Sequence, residues 1–478
     1  MTTMRFSKLP ALAILALWPA VAPAIVTFTV NDTADHPDDI HDGVCADVLG
    51  KCTLRAAIME ANLGTEFTGY DNVLPAGTYT LTRGVASPDN DSNGDLDVTN
   101  GIVRIHGAGA AKTIIDANHV DRAFKVTGGN SLRLFNLTIR NGLPSSALGR
   151  FDSGGAILVP GDLSLEGCVL DSNSTPHDGG AIMSYLASST PDLYAIRSTF
   201  SRNIAGGGGG ALYGSQLNAT FDSCTFSSNT SGFGAGLALA NSTLYMQNTT
   251  FSLNDAANDG GGMHLYSVAA SIYNCTFGEN GADTDVDNNG VGGGMYVEAS
   301  NVMLSNSVFA NLNFNTHGDD DCYTVSSTIA FGGINQIRSL VGCSYTGLAI
   351  EADPLLGPLK DNGGPTQTSM LSPSSVAIGS GPAGGCPGIS AVLTVDQRGV
   401  KRPIGAKCDL GAVEVEPIGD VNGDGSVNVV DVFYLINFLF AGGPLPLGRA
   451  NVNGGSTIDV LDVFYLINYL FAGGPAPV

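Results

Sequence analysis

Between residues 136 and 312 the chain alternates short apolar runs with short polar ones at a nearly constant interval. One unit reads CVLDSN (168–173), STFSRN (198–203), CTFSSN (224–229), TTFSLN (249–254) and CTFGEN (275–280). NLTIRN (136–141) reads as an earlier copy and SVFANL (307–312) as a fading later one. A second unit alternates with the first: GGAI (154–157 and 179–182), GGAL (209–212), AGLA (235–238), GGMH (261–264) and GGMY (293–296). The apolar runs are strand-length and β-branched or aromatic, and none keeps a helical i, i+3, i+4 spacing. A β-sandwich also has short strands, but not the same residue type in constant register. A period of 25 to 32 residues predicts one solenoid coil per repeat. The expected fold is mainly β, a right-handed parallel β-helix, its hand following the usual crossover rule.

That architecture gives the repeated residues a purpose. Stacked coils place equivalent positions about 4.8 Å apart. Phe200, Phe226, Phe251 and Phe277 are expected to stack inside. Asn141, Asn173, Asn203, Asn229, Asn254 and Asn280 are expected to form a ladder at a turn, where Asn tolerates left-handed backbone. Glycine pairs supply tight corners. Cys168, Ser198, Cys224, Thr249 and Cys275 share one position, so these cysteines read as small wall residues.

Both ends depart from the repeat. An open solenoid end is an unpaired strand edge. TLRAAIMEAN (53–62), with Thr53 as N-cap, predicts a short helix over the first coil. Near the other end, VDVFYLINFLFAGGP (430–444) and LDVFYLINYLFAGGP (461–475) predict helices over Val432–Phe440 and Val463–Phe471. Each follows an Asx-rich loop. The first places Asp420, Asn422, Asp424, Asn428 and Asp431 at loop positions 1, 3, 5, 9 and 12, with Gly425 at position 6 and the Ser426 carbonyl at position 7. Calcium takes six to eight oxygens, and this is EF-hand loop spacing. The second loop offers Asn451, Asn453, Thr457, Asp459 and Asp462, but has Gly455 at position 5 and Ser456 at position 6. With two carboxylates against three, it is expected to bind calcium more weakly or not at all.

Several family resemblances rest on these residues. FxxN alternating with GGAI resembles the polymorphic outer-membrane protein repeat, which implies a surface-exposed β-helix. CTLRAAIMEAN…LPAGTYTLT (52–82) resembles the CSLREA-type N-terminal module, with Ala56 where that module has Glu. DPLLGPLKDNGGPTQTSMLSPSSVAIGSG (353–381) and DQRGVKRPIGAKCDLGAVE (396–414) resemble the closing region of choice-of-anchor Q proteins. Residues 418–478 resemble a type I dockerin, which implies calcium-dependent folding and docking onto a cohesin-like partner. Loop positions 10 and 11, commonly Ser/Thr in cellulosomal dockerins, are Val429-Val430 and Val460-Leu461 here. The resulting division is a signal peptide (1–24), an N-terminal cap (25–68), the β-helix (69–350), the closing region (351–416) and the dockerin-like module (418–478).

Composition narrows the function. Net charge is −23, with 14% charged residues and 64 glycines in 478. Nucleic acid and anionic membrane both call for basic patches, so neither is expected as a partner. Arg5, Lys8 and the run LPALAILALWPAVAPA read as a cleaved secretory signal, and no later stretch is long enough to span a membrane. Nine cysteines fit an oxidising compartment: Cys45 and Cys52 are close enough to pair locally, Cys322 with Cys343 and Cys386 with Cys408 bracket loops rich in Gly, Asp and Ser, and the sequence alone does not fix the pairing.

No catalytic constellation is recognisable. Asp319-Asp320-Asp321, the alternating Asp283, Asp285 and Asp287, and the set Asp89, Asp91, Asn93, Asp95 and Asp97 read as solvated or calcium-binding loops. Arg133, Arg140, Arg197 and Arg202 recur without an acidic partner, and His177, His264 and His317 stand alone. The expected function is a secreted or surface-displayed β-helix for adhesion or for binding carbohydrate or another partner, docked through its calcium module. A polysaccharide lyase or O-glycosyl hydrolase carrying a dockerin is the second reading, and a surface-layer or matrix component the third.

Overall fold

The computed structural model describes residues 25–63, 69–84, 92–144, 153–185, 189–313 and 321–477. The signal-peptide expectation (1–24), Asp89, Asp91, His317, Asp319 and Asp320 lie outside the described residues.

Short strands stack in parallel, coil upon coil, and close round one apolar core. The GGAI-type segments build a nine-stranded wall that includes Ile182–Tyr185, Leu212–Ser215, Leu237–Ala240, Met263–Tyr266 and Met295–Glu298. Alternation explains its neighbour: in Asp192–Ile196, Leu193 and Ala195 point inward while Tyr194 is exposed. The FxxN segments form a further face, and their register is one-to-one, with Phe226 opposite Phe200 and Phe251. The solenoid class is therefore as the repeat predicts.

The phenylalanine stack forms and runs one coil further than expected. Ring centroids lie 4.6, 4.5, 4.9 and 4.3 Å apart along Phe200, Phe226, Phe251, Phe277 and Phe309.

The asparagine ladder also forms, with two corrections. Each side-chain amide from Asn173 through Asn203, Asn229, Asn254 and Asn280 donates to the next Asn Oδ1, ending on Asn311, at 2.7–3.0 Å. Buried Asp321 then receives Asn311 Nδ2 at 2.9 Å and closes the ladder. Asn141 is not a member. Strand register pairs Asp171 with Arg140, so Gly142 occupies the ladder position, and Asn141 donates to Asp116 Oδ1 at 3.0 Å. Nor do the later asparagines adopt left-handed backbone; the residues before them do, as at Ser172, Arg202 and Ser228.

The corners need glycine for two separate reasons. Gly209 has φ 68°, and a Cβ on its neighbour Gly210 would sit 2.5 Å from the Ala235 carbonyl oxygen of the next coil. Helix α1, Leu54–Ala61, caps the first coils with Thr53 accepting from the Ala56 amide at 3.1 Å, and all eight of its residues are buried. Its Arg55 is the least expected core side chain, paired with Asp35 at 2.6 Å and donating to the Gly94 carbonyl at 2.9 Å.

Residues 353–416 run back along the flank of the solenoid. They cover the outward side of the FxxN strands, which is why Thr225, Ser227, Thr250 and Ser252 are buried. Gln397 ties three elements, donating to Thr225 Oγ1 and Thr366 Oγ1 at 3.0 Å and accepting from Thr250 Oγ1 at 2.6 Å. Arg402 reaches Asn248 Oδ1 at 3.0 Å and pairs with Glu414 at 3.0 Å, both side chains fully buried. Burial is the largest influence on Glu414 and pushes its carboxyl up to about 7 against the pull of Arg402.

All three cysteine pairs are disulfides, Cys45–Cys52, Cys322–Cys343 and Cys386–Cys408, with Cα separations of 5.0, 5.4 and 5.6 Å. Cys168, Cys224 and Cys275 are free and buried, their thiols pushed up to about 12 by desolvation.

Candidate metal centre

The C-terminal module has its own small core, built from Val421, Val432, Leu435, Ala450, Val452, Val463 and Leu466. Helices α2 (Val429–Ala441) and α3 (Val460–Ala472) each begin three residues before the expected start. The reason is a capping box at both N-termini: Asn428 with Asp431, and Asp459 with Asp462. Both helices end on left-handed glycines, Gly442 and Gly473.

Capping also positions the candidate ligands. Asp431 is buried at the start of α2 and turns back to the loop, its Oδ1 accepting from Val421 N at 2.7 Å and Asn422 N at 3.0 Å. Asp420, also buried, accepts from Asp424 N at 3.0 Å and Gly425 N at 2.7 Å. Asp424 and Asn422 are joined through Asn422 Nδ2 at 2.9 Å, and Asp424 Oδ1 receives Ser426 N at 2.9 Å. Gly425 is required twice over: its φ is 91°, and a Cβ there would stand 2.3 Å from Gly405 N. Asn428 Oδ1 caps α2 through Val430 N at 2.8 Å; a metal-ligand role for it would run through a water, as is common at position 9.

The electrostatics favour a cation. Burial raises Asp420 above the ordinary carboxylate range, and the charges of Asp431 and Asp424 add to the effect against the loop amides. Three acids on one tight loop repel one another until a positive ion joins them. Among the described residues, however, three carboxylates close to within 4.8 Å only at Asp283, Asp285 and Asp287. The acids of the first loop are instead held by its amides.

The second loop repeats the frame with fewer charges. Asp462 receives Val452 N at 2.8 Å and Asp459 N at 2.9 Å, and Asp459 caps α3 through Leu461 N at 2.8 Å. Asn453 accepts from Gly455 N at 2.7 Å, and Thr457 lies 3.5 Å from Asp459. The left-handed residue at position 6 is missing: Gly423 and Gly454 match at position 4, but Ser456 has no counterpart to the turn at Gly425. Asn451 Oδ1 is buried without a hydrogen-bond partner, an oxygen that a cation at position 1 would satisfy.

Among the described carboxylates considered for catalysis, three are engaged elsewhere. Asp95 and Asp97 face Arg122 and Lys125 at 3.0 and 3.5 Å. Asp321 ends the asparagine ladder. Arg140 and Arg202 do have acidic partners, Asp116 at 2.8 Å and Asp171 at 2.7 Å, and Arg197 pairs with Glu166. Each partner lies one coil back, so the pairing does not show in the linear repeat. His264 stacks on Tyr296, with centroids 4.7 Å apart.

Comparison with known proteins agrees with the module and the repeat. The Dockerin type I domain model matches residues 418–471. The Chlamydia polymorphic membrane protein repeat model matches residues 197–215. No curated protein and no solved structure matches the chain. Dockerin type I domains bind calcium and dock onto cohesins, and the two matches together point to an extracellular or surface setting. Among the described residues no helix is long and apolar enough to cross a membrane.

Proposed function

We propose that this protein displays a β-solenoid outside the cell, exported through residues 1–24, and anchors it to a cohesin-like partner through calcium-ordered residues 418–478. Calcium is held by Asp420, Asn422, Asp424, the Ser426 carbonyl, Asn428 and Asp431. A weaker second site uses Asn451, Asn453, Thr457, Asp459 and Asp462. The CSLREA-like and choice-of-anchor Q-like segments fit this reading as capping and closing parts of a surface protein. One observation carries the docking: the module exposes apolar residues at the same positions of both repeats. Val430, Phe433 and Phe440 on α2 are exposed, and so are Leu461, Phe464 and Phe471 on α3, with Phe433 at 65% and Phe464 at 62%. A surface of that kind marks a binding face, and its duplication offers a partner two equivalent ways to dock. Valine and leucine at loop positions 10 and 11 favour an apolar partner face over the Ser/Thr-reading cohesins of cellulosomes.

The test is binding of the full chain to a panel of cohesins, with calcium and with EDTA. Calcium-dependent binding, lost in Val430→Asp/Leu461→Asp, is the expected result. Binding that ignores both EDTA and the double substitution would refute the reading. The solenoid is the displayed cargo, and adhesion or ligand binding is the role proposed for it. Its flank carries a cleft of about 350 Å³ lined by Tyr185, Tyr213, Met183 and Asp178, a place for a partner's apolar or sugar face.

A further inference from the structure

A second cluster of carboxylates lies in the solenoid itself. Between the strands Thr276–Ala282 and Met295–Glu298 the chain makes an insertion, DTDVDNNG (283–290). One carboxylate oxygen from each of Asp283, Asp285 and Asp287 comes within 4.8 Å of the other two. Asp285 and Asp287 are exposed, but Asp283 is fully buried. Its Oδ1 accepts from Asn288 N at 3.0 Å, while its Oδ2 is buried with no hydrogen-bond partner. A buried carboxylate oxygen left unsatisfied is costly. A cation shared with the two carboxylates beside it would remove that cost.

The loop is held in place before any ion arrives. Asp283 N donates to Asn258 O at 3.2 Å, Thr284 Oγ1 to Ala256 O at 3.1 Å, and Val291 N to Asp259 Oδ1 at 3.1 Å. All three anchors belong to the preceding coil. Val286, between two of the acids, has φ 61°, a strained setting for a β-branched residue.

We infer that Asp283, Asp285 and Asp287 bind a calcium ion on the coil insertion, separately from the C-terminal loops. The donors are all carboxylate oxygens, without His or Cys, which selects a hard cation. Magnesium is disfavoured because it gives up its water reluctantly and demands octahedral geometry, whereas calcium accepts irregular, partly hydrated coordination. With three protein carboxylates and water completing the sphere, affinity should fall near that of extracellular modules, about 10⁻⁴–10⁻³ M. This inference does not depend on the docking reading.

The experiment is equilibrium dialysis of the chelator-stripped full chain against calcium alone. Asp285→Asn/Asp287→Asn should bind one calcium fewer than the unaltered chain, with the β-sheet circular dichroism unchanged because both side chains are exposed. Asp420→Asn/Asp431→Asn should retain the coil site, which separates a failure here from a failure of the C-terminal loops. Protease cleavage within 283–291 reports the site directly. It should rise on adding EDTA to the unaltered chain and be high and EDTA-independent in Asp287→Asn. Equal calcium counts in the Asp285/Asp287 variant and the unaltered chain, or cleavage that ignores EDTA in both, would overturn the assignment.

Discussion

At the residue scale, the solenoid depends on polar side chains satisfying one another inside it. Asn229 accepts from Asn203 N and Nδ2 at 3.0 Å each and donates to Phe200 O at 3.0 Å and Asn254 Oδ1 at 2.8 Å. Asn229→Ala strands buried groups on both neighbouring coils, at about 1–3 kcal/mol for each unsatisfied group. We expect a loss of about 2–4 kcal/mol, read as an earlier urea midpoint, and under 1 kcal/mol for exposed Asn218→Ala outside the ladder. An equal loss in both variants would mean that the ladder is not special. Histidine gives a pH handle. His264 lies between Phe233 and Tyr296, and desolvation lowers it to about 4. Its charged form is thus tolerated better in the unfolded chain. The stability this provides is complete above the ordinary histidine value near 6.5 and is lost as pH falls towards 4, at most about 3 kcal/mol. His264→Phe should therefore lose less melting temperature between pH 7 and pH 4.5 than the unaltered protein. Parallel curves would contradict the assignment. The residues legible in the sequence are those that repeat, such as the phenylalanines and most of the asparagines. The slip at Asn141 arose because NLTIRN matches the later units by letter but sits one position out of their strand register.

At the scale of elements, the sequence shows helices and coils well and their fastenings poorly. Helix α1 and its Thr53 cap follow from local pattern alone. Arg55 within it looks like a solvent-facing residue, because nothing nearby in sequence can pair with it. Its partner Asp35 is twenty residues away and also accepts from Thr82 N at 2.7 Å and Arg83 N at 3.0 Å. One ion pair thus joins the N-terminal segment, the capping helix and the first coils. Removing one partner of a buried pair costs about 3–5 kcal/mol, since the other charge is left uncompensated. Arg55→Ala should therefore open the N-terminal end, seen as faster amide exchange in 54–61 and a lower melting temperature. Exchange unchanged from the parent would show that apolar packing alone seats the helix. The same blindness applies to Gln397 and Arg402, whose partners on the solenoid lie 147 to 173 residues earlier. Only the folded chain brings residues 353–416 back to the FxxN face.

At the scale of the whole molecule, the solenoid and the C-terminal module keep separate cores, with a smaller cluster of Val308, Leu371, Ala377 and Leu410 where the closing residues pack on the coils. The solenoid core is continuous from Phe28 to Ile337, whereas the C-terminal core is a separate cluster around Leu435 and Leu466. Separate cores melt separately unless a large interface couples them. At the proposed sites calcium would act on them unequally. In the C-terminal module Asp431 and Asp462 cap the N-termini of both helices, so an ion lost from those loops would loosen the helices as well. On the solenoid the proposed ion would sit on one exposed insertion, which can open locally while the coils stay intact. At a free calcium concentration of 100 times the dissociation constant, one site stabilises by about 2.7 kcal/mol. For a module of this size that is a shift of about 10–20 °C in melting temperature. Calorimetry of the full chain should therefore show two transitions. The smaller should move up by that amount with calcium and vanish from its place with EDTA, together with the helical signal of α2 and α3. The larger, from the solenoid, should stay within a few degrees. One coincident transition that moves as a whole would mean that the solenoid and the docking module share their stability, and that calcium governs the display surface as well as its anchor.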